Sequence, residues 1–139
     1  MHCVYLGLGS NLGDKHANFG KAIALINERV GEVVRQSSLI ETEPWGFESE
    51  NSFLNGVVLC ETQLTPRQVL KTTQRIEREL GRKKKTGAAP ANRTYQDRLI
   101  DIDILLYDDL VVDEPDLKIP HPLMQQRDFV MIPLNEIRY

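Results

Sequence analysis

The chain has 139 residues, of which 41% are hydrophobic and 27% are charged, and it is therefore long enough for one domain with its own core. This composition excludes disordered and collagen-like proteins, and a net charge of −3 is too small to indicate a general nucleic-acid binder. No apolar run approaches the roughly 18 residues of a membrane span, and no signal peptide is visible at the N-terminus. We therefore expect a single cytoplasmic domain over residues 1–139, with Cys3 and Cys60 as reduced core thiols.

The first elements alternate between strand and helix patterns. Residues 3–10 predict a strand that closes in a glycine-rich run at 7–13. That run lacks the spacing of a dinucleotide fingerprint and the ending of a phosphate-binding P-loop, so we interpret it as a turn that permits close backbone approach. Asp14 is placed to cap a helix over residues 15–30, whose apolar stripe has helical spacing. Strand character returns over residues 32–42.

A third strand and a second helix follow with clear boundary signals. Residues 53–62 predict a strand, and the next helix begins at Thr65-Pro66, with Thr as N-cap and Pro at the first helical position. Gln68 completes a capping-box pattern. The helical period continues to Gly81.

Residues 82–97 lack periodicity and are rich in basic, small and polar residues. A loop of this length in a compact domain is usually functional or disordered, and we expect a long flexible lid loop at about 82–97. The strand pattern of residues 98–107 follows, and shorter apolar segments follow it. The order β-α-β-β-α-β predicts an α+β, ferredoxin-like fold: an antiparallel sheet with helices on one face and additional C-terminal strands.

The strand at 98–107 contains two carboxylates at positions i and i+2, Asp101 and Asp103. Because strand side chains alternate, both point to one face, with Cα atoms about 7 Å apart. The opposite face is predicted to carry Ile102, Ile104 and Leu106. A pair of hard oxygen ligands suits Mg²⁺ with bound phosphates, whereas the simpler alternative is a strand edge protected by inward charges.

Cations stand near this strand in the sequence. Arg98 lies three residues before Asp101, and Arg82 and Lys84 stand at the other end of the long loop. Phosphoryl transfer requires such positive charges around a metal-bound polyphosphate, although a basic run alone is most often a solvated loop. Trp45 lies in a loop punctuated by Pro and Gly, where an aromatic face can bind a planar heterocycle.

Six short motifs stand in order along the chain, and they are Gly7-x-Gly9-Ser10-Asn11-Leu12-Gly13, Glu43-Pro44-Trp45-Gly46, Phe53-x-Asn55, Gln74-x-x-Glu77-x-x-x-Gly81-Arg82, Arg98-x-x-Asp101-Ile102-Asp103-Ile104-Leu105, and Pro120-His121-Pro122 through Arg127-x-Phe129. Together they resemble the 6-hydroxymethyl-7,8-dihydropterin pyrophosphokinase family of folate biosynthesis. The resemblance covers essentially the whole chain, and the ordered set is far more specific than any one motif.

The resemblance implies transfer of the terminal diphosphate of ATP to the pterin hydroxymethyl group, with release of AMP, ATP as co-substrate and two Mg²⁺ ions. It implies that the catalytic residues are Arg82, Arg98, Asp101 and Asp103, of which the two aspartates bind the metal. The implied pterin-binding residues are Thr42, Pro44, Trp45, Phe53, Asn55 and Phe129. The implied ATP-binding residues are Gln74, Glu77, Arg82, Lys84, Arg98, Ile104, His121 and Arg127. We expect no nucleic acid, membrane or obligate protein partner.

The sequence departs from the family pattern in the long loop. Tyr95-Gln96-Asp97 replaces the usual Trp and Gly-Pro, and Lys84 stands where an arginine is common. A lysine offers a point charge in place of a bidentate phosphate contact.

Two other functions remain open at this point. A different two-metal nucleotidyl- or phosphotransferase would use the same strand and helix order. A non-enzymatic RNA-recognition-like domain would share that order too, although the two aspartates repel phosphate unless a metal intervenes.

Overall fold

The computed structural model describes residues 1–42, 52–81 and 99–138. The strands are β1 (His2–Ser10), β2 (Gly31–Gln36), β3 (Ile40–Thr42), β4 (Phe53–Thr62), β5 (Asp101–Tyr107), β6 (Val112–Glu114) and β7 (Leu117–Ile119). The helices are α1 (Lys15–Arg29), α2 (Pro66–Gly81) and α3 (Asp128–Ile137), with a 3₁₀ turn at Met124–Gln126. No helix in these three ranges is long and apolar enough to cross a membrane. The predicted lid at 82–97 lies outside the described residues.

The main sheet is antiparallel, in the order β2-β4-β1-β5, with β3 also paired to β4. This order and the element sequence through β5 confirm the ferredoxin-like prediction. β6 and β7 form a separate hairpin, which accounts for the additional C-terminal strands.

The strand predicted over residues 32–42 is divided into β2 and β3. Ser37 is the reason for the break: its backbone N–H donates to the Val57 carbonyl at 2.9 Å, while its hydroxyl accepts from the Val57 N–H at 2.9 Å. A side-chain oxygen thus replaces a ladder carbonyl, and the regular pairing stops.

α1 and α2 begin with the N-terminal caps that the sequence predicts. The Asp14 carboxylate accepts from the backbone N–H of Ala17 at 3.1 Å and caps α1. At α2 the capping box is reciprocal, because the Thr65 N–H donates to Gln68 Oε1 at 2.9 Å and the Gln68 N–H donates to Thr65 Oγ1 at 3.2 Å.

Both helices pack on one face of the sheet and form the helix-side core. Alternate residues of the strands supply its other half, and all its members have the apolar side chains expected from strand periodicity. Its fully buried members include Val4, Leu6, Ile26, Cys60, Val69 and Ile76. Cys60 is a free thiol whose pKa burial raises to about 12, and Cys3 is also free.

A third helix, α3, lies on the opposite face and forms the α3-side core. The buried members of this core are Tyr5, Val57, Leu59, Leu105, Met124, Leu134 and Ile137. Two contacts fasten the end of α3 to the β2 edge: Glu136 accepts from the Ser38 backbone N–H at 2.8 Å, and the Ile137 carbonyl accepts from Arg35 at 3.2 Å. The sequence did not predict this helix, because a short apolar run that contains a proline fits a strand or a buried helix equally well.

The β1–β5 pairing shifts register by one residue at Leu105. As a result Leu106 packs with the α3-side core, and Tyr107 joins Ile102 and Ile104 in the helix-side core. The prediction that Leu106 shares a face with Ile102 and Ile104 is therefore wrong, because a bulge interrupts the period of two on which it rested.

Candidate active site

Asp101 and Asp103 lie on β5, the edge strand of the main sheet, on the face opposite α1 and α2. Both side chains are half-buried. In the antiparallel register Asp101 stands beside Gly9 of β1, and Asp103 stands beside Gly7. The two carboxylates therefore border a part of the sheet where the neighbouring strand has no side chains.

These glycines lie within β1 and not in a turn, which corrects the interpretation of the run at 7–13. Only Gly13 has the positive φ, 67°, that a turn after the strand requires of glycine. A Cβ on Gly9 would lie 3.4 Å from Asn55 Oδ1, and one on Gly7 would lie 3.4 Å from the Leu105 side chain. Strand glycines at such places allow a ligand to approach the backbone closely.

Asn55 stands on the other side of Gly9 and is only 6% exposed. Its Nδ2 donates to Thr42 Oγ1 at 3.0 Å and to the Phe53 carbonyl at 3.4 Å. A Cβ on Gly9 would also lie 3.7 Å from the Phe53 ring. The structure thus brings three of the predicted pterin-binding residues, Thr42, Phe53 and Asn55, together beside Gly9.

Glu77 connects α2 to the outer edge of β5. Its carboxylate accepts from the Ile102 backbone N–H at 2.7 Å, between the two aspartates. Gln74, three residues earlier on α2, is exposed. The side chain of Ile104 is only 6% exposed within the helix-side core, so its backbone is the part of this residue that can reach a ligand.

His121 lies in the turn after β7, and its backbone N–H donates to the Leu105 carbonyl at 3.0 Å. Its ring Nδ1 accepts from the Leu123 N–H at 3.2 Å, so a neutral ring carries its proton on Nε2. Burial is the largest cause that lowers the His121 pKa, and the Arg127 charge lowers it further, while Asp101 opposes them. The His121 ring is therefore close enough to Asp101 for the two charges to interact.

Arg127 precedes α3, and its guanidinium carbon lies 5.6 Å from the ring centroid of Phe129 in the first turn of that helix. The guanidinium and the ring thus form a cation–π contact. Both side chains are half-buried.

The aspartate pair fits a magnesium ion by the chemistry of its donors. Mg²⁺ is bound in phosphate-transfer sites by one or two carboxylates and completes its shell with waters and substrate phosphates. Over residues 1–42, 52–81 and 99–138 no group of three or more His, Cys, Asp or Glu side chains could hold a metal ion.

Five predicted site residues lie outside the described residues and stay predictions from the sequence. They are Pro44, Trp45, Arg82, Lys84 and Arg98.

Lys15 is a residue that sequence reasoning missed. Its Nζ donates to Glu41 Oε2 at 3.1 Å, to the Ser52 carbonyl at 3.2 Å and to Ser52 Oγ at 3.3 Å. One signal was present in the sequence, because a cation in the first turn of a helix opposes the helix dipole and calls for another explanation.

The chain is similar to known proteins over nearly its whole length. The model of the 7,8-dihydro-6-hydroxymethylpterin-pyrophosphokinase (HPPK) family matches residues 5–139. The chain is 49% identical over 138 residues to a Porphyromonas gingivalis protein described as 2-amino-4-hydroxy-6-hydroxymethyldihydropteridine pyrophosphokinase, covering 99% of this chain and 91% of that protein. A protein of the same description from Aquifex aeolicus is 43% identical over 137 residues, covering 99% of this chain and 81% of that protein.

The fold is similar to that of a solved Plasmodium falciparum structure described as wild-type HPPK-DHPS with SDX-DHP. The TM-score is 0.74 at 18% sequence identity. The match covers 99% of this chain but only 40% of that longer one.

Proposed function

The chain belongs to the 7,8-dihydro-6-hydroxymethylpterin-pyrophosphokinase family, and from that premise we propose its reaction and the residues that perform it. It is an ATP-dependent pyrophosphokinase of folate biosynthesis. It transfers the terminal diphosphate of ATP to the hydroxymethyl group of 6-hydroxymethyl-7,8-dihydropterin, and AMP is the other product.

The observation that carries this proposal is the aspartate pair beside the two glycines of β1. Asp101 and Asp103 are half-buried on a strand, where carboxylates are unfavourable without a binding role. We propose that they hold two Mg²⁺ ions. When bound, such ions neutralise charge and align the attacking and leaving oxygens of an in-line displacement.

Asn55, Thr42 and Phe53 form the pterin side of the proposed site. The hydrogen bonds from Asn55 to Thr42 and to the Phe53 carbonyl fix the amide in one orientation. A fixed amide and hydroxyl recognise the polar edge of a heterocycle, because an analogue without the matching groups would leave them unpaired. Phe53 and Phe129 supply aromatic faces for the planar ring.

His121 and Arg127 form part of the ATP side. A neutral His121 donates a hydrogen bond through Nε2 without adding a full charge, while Arg127 contributes a permanent positive charge. Glu77 holds the β5 backbone between the two carboxylates and so maintains their spacing. Arg82, Arg98 and Lys84 are the further cations that the sequence assigns to the phosphates, since diphosphate transfer depends on charge neutralisation and positioning.

The decisive experiment measures AMP release by the purified chain with ATP, Mg²⁺ and 6-hydroxymethyl-7,8-dihydropterin. We expect AMP to form only when all three are present, in equal amount to the diphosphorylated pterin. Formation of ADP, or of free pyrophosphate from a pterin adenylate, would instead indicate another phosphate- or nucleotidyl-transfer reaction. RNA binding without Mg²⁺, together with no AMP release, would favour the nucleic-acid-binding alternative.

A further inference from the structure

We propose that Lys15 is a positioning residue for pterin binding, which acts from the opposite face of the sheet. It fastens the end of the β3–β4 ladder that carries Thr42 and Phe53. This inference rests on the proposed function, because it takes the pterin as the ligand of those residues.

One ammonium group joins the two strands at this end of the ladder. Lys15 Nζ donates to Glu41 Oε2 of β3 at 3.1 Å. It also donates to the carbonyl and the hydroxyl of Ser52, the residue before β4, at 3.2 and 3.3 Å. In this clamp of Lys15 with Glu41 and Ser52, the Lys15 side chain is 22% exposed and that of Glu41 is 58% exposed. The two hydrogen bonds to Ser52 are part-buried and are therefore the part of the clamp that is shielded from water.

The register of the ladder separates the clamp from the site. Glu41 pairs with Leu54, which belongs to the helix-side core, whereas Thr42 pairs with Phe53. Successive residues of a strand point to opposite faces. Glu41 and Ser52 therefore face α1, and Thr42 and Phe53 face the candidate site. The ammonium group does not reach the pterin side, and it acts by holding the backbone to which the binding residues are attached.

β3 has three residues. Within the described residues, Thr42 and Phe53 are the last pair of its ladder with β4, and strands open most easily at such ends. A part-buried cation that bridges both strands limits this opening. Thr42 Oγ1 then stays in place to accept from Asn55.

A lysine at position 15 does not stabilise α1. It is the first residue of that helix, where the macrodipole favours anions and disfavours a positive charge. Removing the charge should therefore leave the stability of α1 unchanged or raise it slightly. Loss of pterin binding without loss of thermal stability is a result that a merely structural lysine would not produce.

The test compares Lys15→Met with Arg29→Met in the full chain. Met keeps most of the apolar stem and removes the charge in both variants. Arg29 is the matched control, because it lies at the other end of α1 and pairs with exposed Glu79 of α2 at 2.8 and 3.0 Å, away from the site. The measurements are the KM for the pterin, the KM for ATP, kcat, and the melting temperature, with direct calorimetric titration of the pterin.

For Lys15→Met we expect the pterin KM and Kd to rise about five- to tenfold. The KM for ATP, kcat at saturating substrates and the melting temperature should stay at wild-type values, and Lys15→Arg should restore pterin binding. In Arg29→Met all of these should be unchanged. Glu41→Gln should give part of the Lys15→Met effect and add nothing to it in the double variant, since both remove the same contact.

Unchanged pterin affinity in Lys15→Met would overturn the inference and leave the proposed function intact. A parallel loss of kcat, ATP affinity and melting temperature would overturn it too, because Lys15 would then support only the fold. If the wild-type chain neither binds the pterin nor releases AMP, the proposed function fails, and the inference fails with it.

Discussion

The two faces of the central sheet are built from alternate residues of the same strands, yet they are used differently. The face toward α1 and α2 carries the apolar helix-side core and is closed by the two helices. The other face carries the α3-side core, which α3 covers. Beyond α3 it carries two glycines, a buried asparagine and two half-buried aspartates.

Stability and ligand binding are thus assigned to neighbouring positions of one strand. In β1, Leu6 has no exposed surface in the helix-side core, while the next residue, Gly7, lies beside Asp103. Substitutions one residue apart should therefore have opposite consequences. The following predictions test how strict that division is, from the largest expected effect to the smallest.

Asp101→Ala and Asp103→Ala should each lower the rate of AMP release by about a thousandfold or more, because each removes a carboxylate that we propose as a Mg²⁺ ligand beside the transferred diphosphate. The melting temperature should be unchanged or higher, since a half-buried carboxylate on a strand is unfavourable for folding. Steady-state kinetics and thermal unfolding measure the two effects. Asp109→Ala, an exposed residue of the turn after β5, is the matched control and should be fully active.

Leu6→Ala should reduce the free energy of unfolding by about 2–5 kcal/mol, since it leaves a cavity in the helix-side core. Below the melting temperature its kcat should stay within about twofold of the wild-type value. Urea denaturation followed by circular dichroism gives the first quantity, and AMP release at low temperature gives the second. A large loss of kcat in a folded Leu6→Ala protein would contradict the division between the faces.

Gly9→Ala should raise the KM for the pterin by about tenfold, because the added methyl group would lie 3.4 Å from Asn55 Oδ1, on the strand between Asn55 and Asp101. Its stability should change little, since the backbone of β1 is extended there. Gly20→Ala is the control: it lies in α1 with nothing within 4 Å of an added Cβ. That variant should be slightly more stable and have an unchanged KM.

The His121 imidazole should contribute a small pH dependence of stability. Its folded pKa is below the usual value of about 6.5, chiefly because of burial. The unfolded chain therefore binds more protons than the folded one between these two pKa values. The contribution to stability is fully present above about pH 6.5 and is lost as the pH falls through the folded pKa.

Proton NMR titration of the native protein should locate this pKa, and His121→Asn should remove that part of the pH slope. An unchanged slope in His121→Asn would assign the dependence to other groups.

Local chemistry made much of the fold predictable. The caps at Asp14 and Thr65 depend on contacts within three residues, and the structure has both. Strand periodicity likewise placed Asp101 and Asp103 on one face, because alternation is a property of the extended backbone itself. The division of residues 32–42 at Ser37 was not visible, since it depends on Val57, a residue far along the chain.

The element order, the two principal helices and the aspartate pair follow from local sequence, because propensity, capping and periodicity act over a few neighbouring residues. The packing of α3 on the second face, the bulge at Leu105, and the contacts of Lys15 and Glu77 depend on tertiary structure. Each of these joins segments distant in sequence. Their partners are selected by the geometry of the assembled sheet, so a pattern within one segment does not identify them.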